Sequence, residues 1–449
     1  MRSLTTLIAA ATLALAVGIA SPLRAAPPSK PAKPAKPKER EISAAYDLIH
    51  QTLFRPVASV FDVAKIGRDI TGNPREAANV DEDDQVRLPS TWWQPRIGFR
   101  RVSVEQMLKG PGPGQGPAPG PWTVTKSKSE GVTPGFQIDD SKGDAFIIKF
   151  DPPNFPELAT GADVIGSYVF WAAGYNVPEN TIEWFRREDL KVAKDATYTD
   201  KRGRKHPMTE QYLSALLARV ARRQDGSYRC VASRFLKGEP LGPFRYTGRR
   251  TDDPEDLIPH ELRRELRGLW TMAAWVNHAD SRAANSLDMW VTDGGRSFVR
   301  HYLIDFGSIL GSSAMPRARG PATGFEYYVD YGAMARMTPT LGLYKAKWED
   351  AVDPKIPAVG MIESKEFDPD DWRPDFPNPA FDERTTRDAK WGARIVAGFT
   401  DDHIRAAVAA AHYSNPAASD YMTRVLMERR DKLVYRWLGT RGPTLITSR

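Results

Sequence analysis

The sequence predicts an α+β protein of two lobes, a small β-rich lobe and then a mainly helical lobe, preceded by an N-terminal extension. Three patterns support this prediction. Apolar and polar residues alternate in short runs between 122 and 150, as in strands with one buried face. From about residue 261, apolar residues mostly recur at helical spacing. Within that helical part, Asp293, Gly294 and Gly295 separate two strand-like runs, which is typical of a tight hairpin.

Changes in composition divide the chain into five predicted parts. Its 449 residues are 41% hydrophobic, which is enough to bury a core in each lobe. The predicted parts are a signal peptide at 1–26, a Pro/Lys-rich linker at 27–40, an N-terminal extension at 41–121 that ends in a Gly/Pro linker, the small lobe at 122–237 and the helical lobe at 238–449.

The first residues have the pattern of a secretory signal. Arg2 gives a positive start, residues 7–20 form an apolar run, and small residues follow near Ala25. An uncleaved anchor is the alternative, but the run is shorter than the roughly 20 residues that span a bilayer. We therefore expect an exported protein, periplasmic or secreted, without a transmembrane segment in the mature chain. Cys230 is the only cysteine, so no intramolecular disulfide can form, and a bacterial periplasm is favoured.

Charge and motif content exclude several functions. The formal charge is +7, and acids and bases are interspersed, so nucleic-acid binding is not predicted. The lysines at 30–38 alternate with prolines, which predicts a solvated linker. The sequence has no His-Glu-x-x-His, paired Cys-x-x-Cys, Walker lysine loop or Gly-x-Ser-x-Gly, which leaves structural zinc, P-loop and α/β-hydrolase chemistry without a motif.

The extension and its linker have predicted structural roles. Apolar residues at 41–66 have helical spacing, and Trp92 and Trp93 are expected to be buried against the main domain. The Gly/Pro run at 110–121 is not a phosphate cradle, because its prolines lack N–H donors. We expect it to be a linker or a surface loop.

The small lobe is expected to contain strands and two helices. The predicted strands are 122–126, 136–139, 145–150, one that begins at 176–182, and 228–235; the predicted helices are 156–173 and 208–223. Cys230 is expected to be buried in its strand. The order is three strands, a helix and two more strands, with a helical insertion before the fifth strand.

The helical lobe begins with a predicted helix at 261–276 that leads into His278, Ala279 and Asp280. Strands at 286–291 and 297–304 then form the hairpin, in which His301 is expected to pack. A hairpin returns its ends to one place, so Asn285 and Asp305 should lie close enough to reach one metal ion. The alternative is that Asn285 is a turn residue and Asp305 a helix cap. Helices around 404–411 and 421–438 should complete the lobe.

These residue types suit phosphoryl transfer. Such a reaction needs a carboxylate near the acceptor hydroxyl, and an amide and a second carboxylate as oxygen ligands for magnesium. Asp280, Asn285 five positions later, and Asp305 ahead of Phe306 and Gly307 supply this set in order.

On these motifs, residues 122–312 resemble the protein-kinase-like superfamily, in particular atypical bacterial members such as the HipA-type and CotH-type kinases. The resemblance implies that His278, Ala279 and Asp280 correspond to the catalytic His-Arg-Asp triplet, with Asp280 orienting or deprotonating the acceptor. It implies that Arg282 contacts the γ-phosphate, and that Asn285 and Asp305 bind magnesium. No Ala-Pro-Glu marker follows Asp305, so the resemblance does not imply a peptide-substrate platform.

Lys149 ends a run, 145–149, that resembles the Val-Ala-Ile-Lys strand whose lysine holds the α- and β-phosphates of ATP. The alternative is a strand-end lysine in solvent. Such a lysine needs an acid on the next helix to fix its position. Asp163, placed as in the HipA-type helix, is our choice over Glu157, which lies where acids usually complement the helix dipole.

Ser129 to Gly135 lies where kinases fold a glycine-rich lid over the phosphates. The run lacks Gly-x-Gly-x-x-Gly, so Gly131 and Gly135 are assigned to close backbone approach by position, and an ordinary hairpin loop is the alternative.

The expected function is that of an exported phosphotransferase that uses ATP and magnesium on an unknown acceptor, either a protein or a small molecule. One alternative is a non-catalytic nucleotide- and metal-binding pseudokinase of the cell envelope, since ATP is scarce outside the cytoplasm. Others are an AMP-transferring enzyme on the same fold and a structural or adhesive protein.

Overall fold

The computed structural model describes residues 35–55, 61–128, 134–200, 202–312, 322–340 and 343–440. The predicted signal peptide, the first part of the linker and Gly131 lie outside these residues. The described chain has a β-sheet lobe and a helical lobe, so the predicted two-lobed α+β fold is confirmed. In the described part of the chain, no helix has the length and apolar character needed to cross a bilayer.

Seven strands of the described chain form the sheet of the small lobe. They are β1 (Trp122–Ser127), β2 (Gly135–Asp139), β3 (Ala145–Lys149), β4 (Asn180–Phe185), β5 (Leu190–Thr199), β6 (Lys205–Pro207) and β7 (Tyr228–Arg234). Their order is β4-β7-β3-β2-β1-β5-β6. β1 and β5 are parallel, and every other pair is antiparallel. Alternate side chains of β1, β2 and β3 fill one apolar core, and Cys230 is buried on β7, as expected.

The insertion before β7 differs from the prediction. It contains β5 and β6 as well as the predicted helix, which is shorter and spans Glu210–Leu217 (α5). β5 has no clean alternation in its sequence, because its side chains are mostly half-buried or exposed. Its position depends on pairing with β1, which carries a bulge between Val124 and Lys126. A local pattern cannot reveal such a partner.

The long helix of the small lobe, α4 (Leu158–Ala172), lies between the two lobes. Nearly all of its residues are buried, so it has no solvent face of the usual kind. β4 starts four residues later than predicted, and Asn176, at the predicted start, uses its side chain to donate to the carbonyls of Thr91 and His301 at 3.0 Å each. α4 therefore carries its residues into the boundary between sheet and helical lobe.

The helical lobe begins with a small sheet. β8 (Glu239–Gly242), β9 (Ser286–Asp293) and β10 (Arg296–Leu303) pair in the order β10-β9-β8. The predicted hairpin forms in register, with Leu303 opposite Ser286. The helices are α6 (Arg264–Val276), α7 (Tyr331–Met337), α8 (Pro379–Asp382), α9 (Thr386–Ala397), α10 (Asp401–Ala409) and α11 (Pro416–Leu438).

A buried ionic cluster joins the first and the later helices of this lobe. Arg264 Nε lies 3.0 Å from Asp388 Oδ1, and Arg267 Nη1 lies 3.4 Å from Asp388 Oδ2; all three side chains are fully buried. Asp388 also accepts from the Thr385 backbone N–H at 2.7 Å, which caps α9. The pairing fixes the position of α6, which leads directly to the predicted catalytic loop.

The extension is part of the helical lobe. Its helices are α1 (Ala44–Ile49), continued by a π-turn at His50–Phe54, α2 (Val63–Thr71) and α3 (Val104–Lys109). Trp92 and Trp93 are buried, as expected. Trp93 packs against Trp391, and Trp92 stacks on His301 at a centroid distance of 3.5 Å.

Two linkers are more ordered than the sequence indicates. The run at 110–121 is a bound surface loop: the N–H of Gln115 donates to Glu179, and that of Ala118 donates to Asp140 at 2.8 Å. Residues 35–40, predicted to be solvated, lie on the helical lobe. Arg40 N donates to Leu241 O at 3.0 Å, and the Arg40 side chain pairs with Asp252 at 2.5 Å.

Candidate active site

Lys149 lies at the centre of the site, where the two lobes meet. Its Nζ is 2.8 Å from Asp163 Oδ2, on α4, and 3.0 Å from Asp305 Oδ1, which follows β10. The Lys149 side chain is 14% exposed and that of Asp163 only 2%, whereas that of Asp305 is 47% exposed. One end of this three-residue group is therefore buried, and the other, at Asp305, is half-exposed to solvent.

The electrostatics of the three groups follow from this placement. Burial alone would lower the pKa of Lys149, but the charges of Asp163 and Asp305 raise that pKa above its ordinary value. Burial raises the pKa of Asp163, although Lys149 opposes the shift. The Lys149 charge lowers the pKa of Asp305, so Asp305 is the carboxylate most firmly ionised at neutral pH.

Asp163 connects the lysine to the segment that carries Asp305. Its Oδ1 accepts from the Phe306 backbone N–H at 3.0 Å and from Asn180 Nδ2 at 3.0 Å. The other candidate acid, Glu157, does not face Lys149: it is buried and accepts from the Ser414 backbone N–H at 2.8 Å. The geometry thus places Asp163, and not Glu157, beside the lysine.

His278 lies in the core. It is buried, and its ring packs against those of Phe170 on α4 and Phe306, with centroid distances of 5.5 and 5.9 Å. Phe170 and Phe306 stack on each other at 4.9 Å. The resemblance implies a catalytic triplet that includes His278, and this role stays a prediction; the structure places its ring in the core against Phe170 and Phe306.

Gly166 on α4 leaves the space that Phe306 occupies. A Cβ built on Gly166 would lie 2.4 Å from Phe306 Cβ. We expect Gly166→Ala to push Phe306 aside and to destabilise the fold by about 1–3 kcal/mol, because a well-packed core does not accept the extra methyl group. Urea unfolding of the variant measures this loss.

Gly67→Ala is the matched control for that change. Gly67 lies in α2 with no atom within 4 Å of an added Cβ. Alanine is the better helix former there, so this variant should be up to about 1 kcal/mol more stable. Equal stability changes at Gly67 and Gly166 would contradict the packing argument.

The loop after α6 carries Asp280, Arg282 and Asn285. Arg282 Nε lies 2.6 Å from Asp280 Oδ1, so in this structure the arginine pairs with the carboxylate. Asn285 Nδ2 donates to the Asp280 carbonyl oxygen at 2.8 Å. The Ile304 N–H donates to Asn285 O at 3.1 Å, which places Asp305 one residue away from this contact. The hairpin therefore returns Asn285 and Asp305 to neighbouring positions.

Of the two glycines predicted to form a lid, the structure describes Gly135, at the start of β2. This glycine is paired with Lys149 across β2 and β3, and a Cβ on it would lie 2.6 Å from Ile148 O. A larger residue would therefore disturb the strand beside Lys149. Gly131, the other lid glycine, lies outside the described residues.

Three neighbours of the site were not predicted. Lys128, just after β1, lies over Gly135, and its charge contributes to the lowered pKa of Asp305. Asn180 donates a hydrogen bond to Asp163. Burial, and to a lesser extent the nearby charge of Asp280, raises the pKa of Tyr246. Each is an ordinary strand or loop residue in the sequence, so no local signal marks it.

The donor set suits a divalent cation that also binds phosphate. No cluster of three or more His, Cys, Asp or Glu side chains within the described ranges could hold a metal ion alone. Magnesium in nucleotide sites commonly uses one or two protein ligands and takes the others from phosphates and water. Asp305, half-exposed and ionised, fits this, and so does Asn285, whose amide nitrogen is engaged while its oxygen is the group suited to a cation.

The described chain thus has a β-sheet lobe and a helical lobe, with a strand lysine facing an acid on the helix between them. No family model matches the chain, and no curated protein is recognisably related to it in sequence.

The chain is similar to two crystal structures of the Golgi casein kinase. The structure with Mn and ADP bound has a TM-score of 0.31 and 7% identity, over 72% of this chain and 76% of that chain. The second has a TM-score of 0.32 and 8% identity, over 72% and 74% of the two chains.

Proposed function

We propose that the protein is an ATP-dependent phosphotransferase. The observation that carries this proposal is the position of Lys149 Nζ, 2.8 Å from buried Asp163 and 3.0 Å from half-exposed Asp305. A purely structural ion pair would not need a second, half-exposed carboxylate on the same lysine. A lysine fixed by a buried acid is a fixed positive charge, and phosphoryl transfer depends mainly on such positioned charge.

Each residue then has a stated task. Lys149 and Asp163 form the fixed end of the site, and Lys149 contacts the phosphates of ATP. Asp305 and the Asn285 side-chain oxygen would hold magnesium, which would neutralise phosphate charge. Asp280 accepts the proton of the acceptor hydroxyl. Arg282, paired with Asp280 at 2.6 Å, lies beside the proposed proton acceptor and contacts the γ-phosphate with its guanidinium group.

The proposal includes the setting of the enzyme. From the sequence of residues 1–26 we propose export to the periplasm or outside the cell. From the motifs we propose a place in the atypical bacterial branch that includes the HipA-type and CotH-type kinases. The acceptor is a protein or a small molecule, and neither nucleic acid nor membrane insertion of the mature chain is proposed.

Nucleotide binding and transfer test the proposal in sequence. We expect ATP with magnesium to raise the thermal midpoint of the purified protein, and ATP with EDTA to raise it much less, because ligand binding to the native state stabilises it. Incubation with γ-labelled ATP should then transfer label, whereas α-labelled ATP should not.

The outcomes separate the rival functions. Binding without any transfer would replace the proposal with a pseudokinase, and transfer of α-label would replace it with an AMP-transferring enzyme. A thermal midpoint that ATP and magnesium leave unchanged would reject a nucleotide-dependent function altogether.

A further inference from the structure

A cavity of about 150 Å³ lies beside the predicted catalytic loop. One wall is the loop itself, through Ser281 and Arg282. A second wall comes from the segment around Phe376 and Asn378, and a third from the N-terminal extension, through Tyr46 and Gln51. The cavity therefore combines the loop with two segments that are far from it in sequence.

Arg282 connects this cavity to Asp280. Its guanidinium lines the cavity and lies over the Phe376 ring at 5.5 Å, while its Nε reaches Asp280 Oδ1 at 2.6 Å. The opposite wall is bonded to the loop: Asn378 Nδ2 donates to Ser281 O at 2.9 Å, and Asp375 N donates to Ala279 O at 2.8 Å. A molecule in the cavity would thus lie one side chain away from Asp280.

Ion pairs hold the chain against the helical lobe on both sides of the segment that lines the cavity. Ahead of it, Arg40 pairs with Asp252 at 2.5 Å; behind it, Arg55 pairs with Asp382 at 2.7 Å. Between these points, the Asp47 side chain is buried, and Gln51 Nε2 lies 3.4 Å from its Oδ1. The wall is therefore held in position by contacts with the helical lobe.

The lining is polar and aromatic at once. Among the described residues, Gln51 Oε1 is buried without a hydrogen-bond partner, so the amide is weakly engaged. Asp47 and Gln51 can accept hydrogen bonds, Arg245 and Arg282 can donate them, and Tyr46 and Phe376 add aromatic surface to the lining. Polyhydroxyl compounds combine hydroxyl groups with C–H faces and match this mixture.

Size points to the same class of compound. A volume of 150 Å³ is that of about five water molecules in the liquid. It suits one small polyhydroxyl ring or chain. An extended peptide would need an open groove for the residues on either side of its acceptor hydroxyl.

We propose that this cavity is the acceptor site, and that the acceptor is a small polyhydroxyl compound bound partly by the N-terminal extension. This inference rests on the proposed function. In the reaction, the acceptor oxygen forms a bond to the γ-phosphorus, and the bond from that phosphorus to the β,γ-bridging oxygen breaks. ADP leaves, and the hydroxyl proton passes to the Asp280 carboxylate.

Transfer of γ-label from ATP and magnesium tests the inference with the full chain. D-glucose, D-ribose, myo-inositol and glycerol are each offered separately, alongside a degenerate serine/threonine peptide. We expect label in at least one of the four compounds and none in the peptide. Gln51→Trp, which fills the cavity, should lower that transfer by about 10-fold or more through KM, because it removes acceptor binding.

Ile49→Trp is the matched control. Ile49 is 48% exposed in the adjoining turn and does not line the cavity. It should keep transfer within about 2-fold, and both variants should keep the thermal shift with ATP and magnesium, since neither touches Lys149 or Asp305.

Three results would overturn the inference: label in the peptide alone, label in none of the four compounds while ATP still binds, or equal transfer by Gln51→Trp and Ile49→Trp. Loss of ATP binding by the unmodified protein would be a different failure, because it would reject the proposed function and this site together.

Discussion

Lys149→Met should destabilise the protein by about 3 kcal/mol at neutral pH and abolish ATP binding. The lysine is the charged partner of Asp163, whose side chain is only 2% exposed. Without it, the carboxylate keeps its hydrogen bonds from Phe306 and Asn180 but no longer has an ion pair. Breaking a buried pair by removing one partner usually costs about 3–5 kcal/mol, since an uncompensated charge remains. Urea unfolding at pH 7.5 measures the loss.

The pH dependence of that loss identifies its cause. The raised pKa of Lys149 means that its contribution is fully present at neutral pH and is lost only as pH rises through the folded-state pKa. In the variant, burial without Lys149 should raise the pKa of Asp163 further. A carboxyl group whose folded-state pKa is raised destabilises the folded protein at pH values above its unfolded-state pKa. This destabilisation disappears as the pH falls and the group becomes protonated. The deficit relative to the unmodified protein should therefore shrink between pH 7.5 and pH 5.

Two further variants complete this test. Adding Asp163→Asn to Lys149→Met removes the unpaired charge, so the double variant should be more stable than Lys149→Met alone. Lys191→Met, at an exposed position on β5, should change stability by no more than about 0.5 kcal/mol. A pH-independent deficit, or a double variant less stable than the single one, would show that packing and not charge explains the loss.

Asp305→Asn should lower phosphoryl transfer by about 10²- to 10³-fold, the usual effect of removing one electrostatic group from an active site. Asp305 has left-handed backbone angles, φ 61° and ψ 65°, which asparagine tolerates better than alanine does. The replacement therefore removes the charge and the metal ligand while it keeps the backbone. Lys149 retains Asp163 as a partner, so stability should change little.

Transfer rates and the magnesium dependence of the thermal shift with ATP measure this effect. Asp293→Asn is the matched control: Asp293 is exposed at the tip of the same hairpin and pairs only with the surface residue Arg300 among the contacts described. It should leave transfer unchanged. Equal activity of the two variants would remove Asp305 from the proposed metal site.

The sequence was most informative where a short pattern determines a local structure. Asp293, Gly294 and Gly295 predict a two-strand hairpin, and the structure has it in the predicted place. The alternation at β3 places Lys149 at a strand end, and the apolar run after residue 156 predicts α4. Each of these elements forms through contacts within a few positions, which is why the sequence predicts it. Together they carry four of the predicted site residues, namely Lys149, Asp163, Asn285 and Asp305.

Local sequence patterns of this kind do not predict contacts between distant segments. β5 is held by pairing with β1, and Asn180 and Tyr246 enter the site through the packing of distant segments. His278 has the same tripeptide context whether it faces the cleft or the core, and only the positions of Phe170 and Phe306 decide. The docking of residues 35–40 likewise depends on Asp252 and Leu241.

The packing of Trp93 and Val102, both in the extension, against the helical lobe has a consequence for how the chain folds. Val102 near the start and His403 near the end share a hydrogen bond of 2.9 Å across 301 positions, and Trp93 packs on Trp391. Closing a loop of that length costs conformational entropy before any contact repays it. The helical lobe can therefore become complete only after the last helices have been synthesised, and the small lobe, with its nearer contacts, is free to form first.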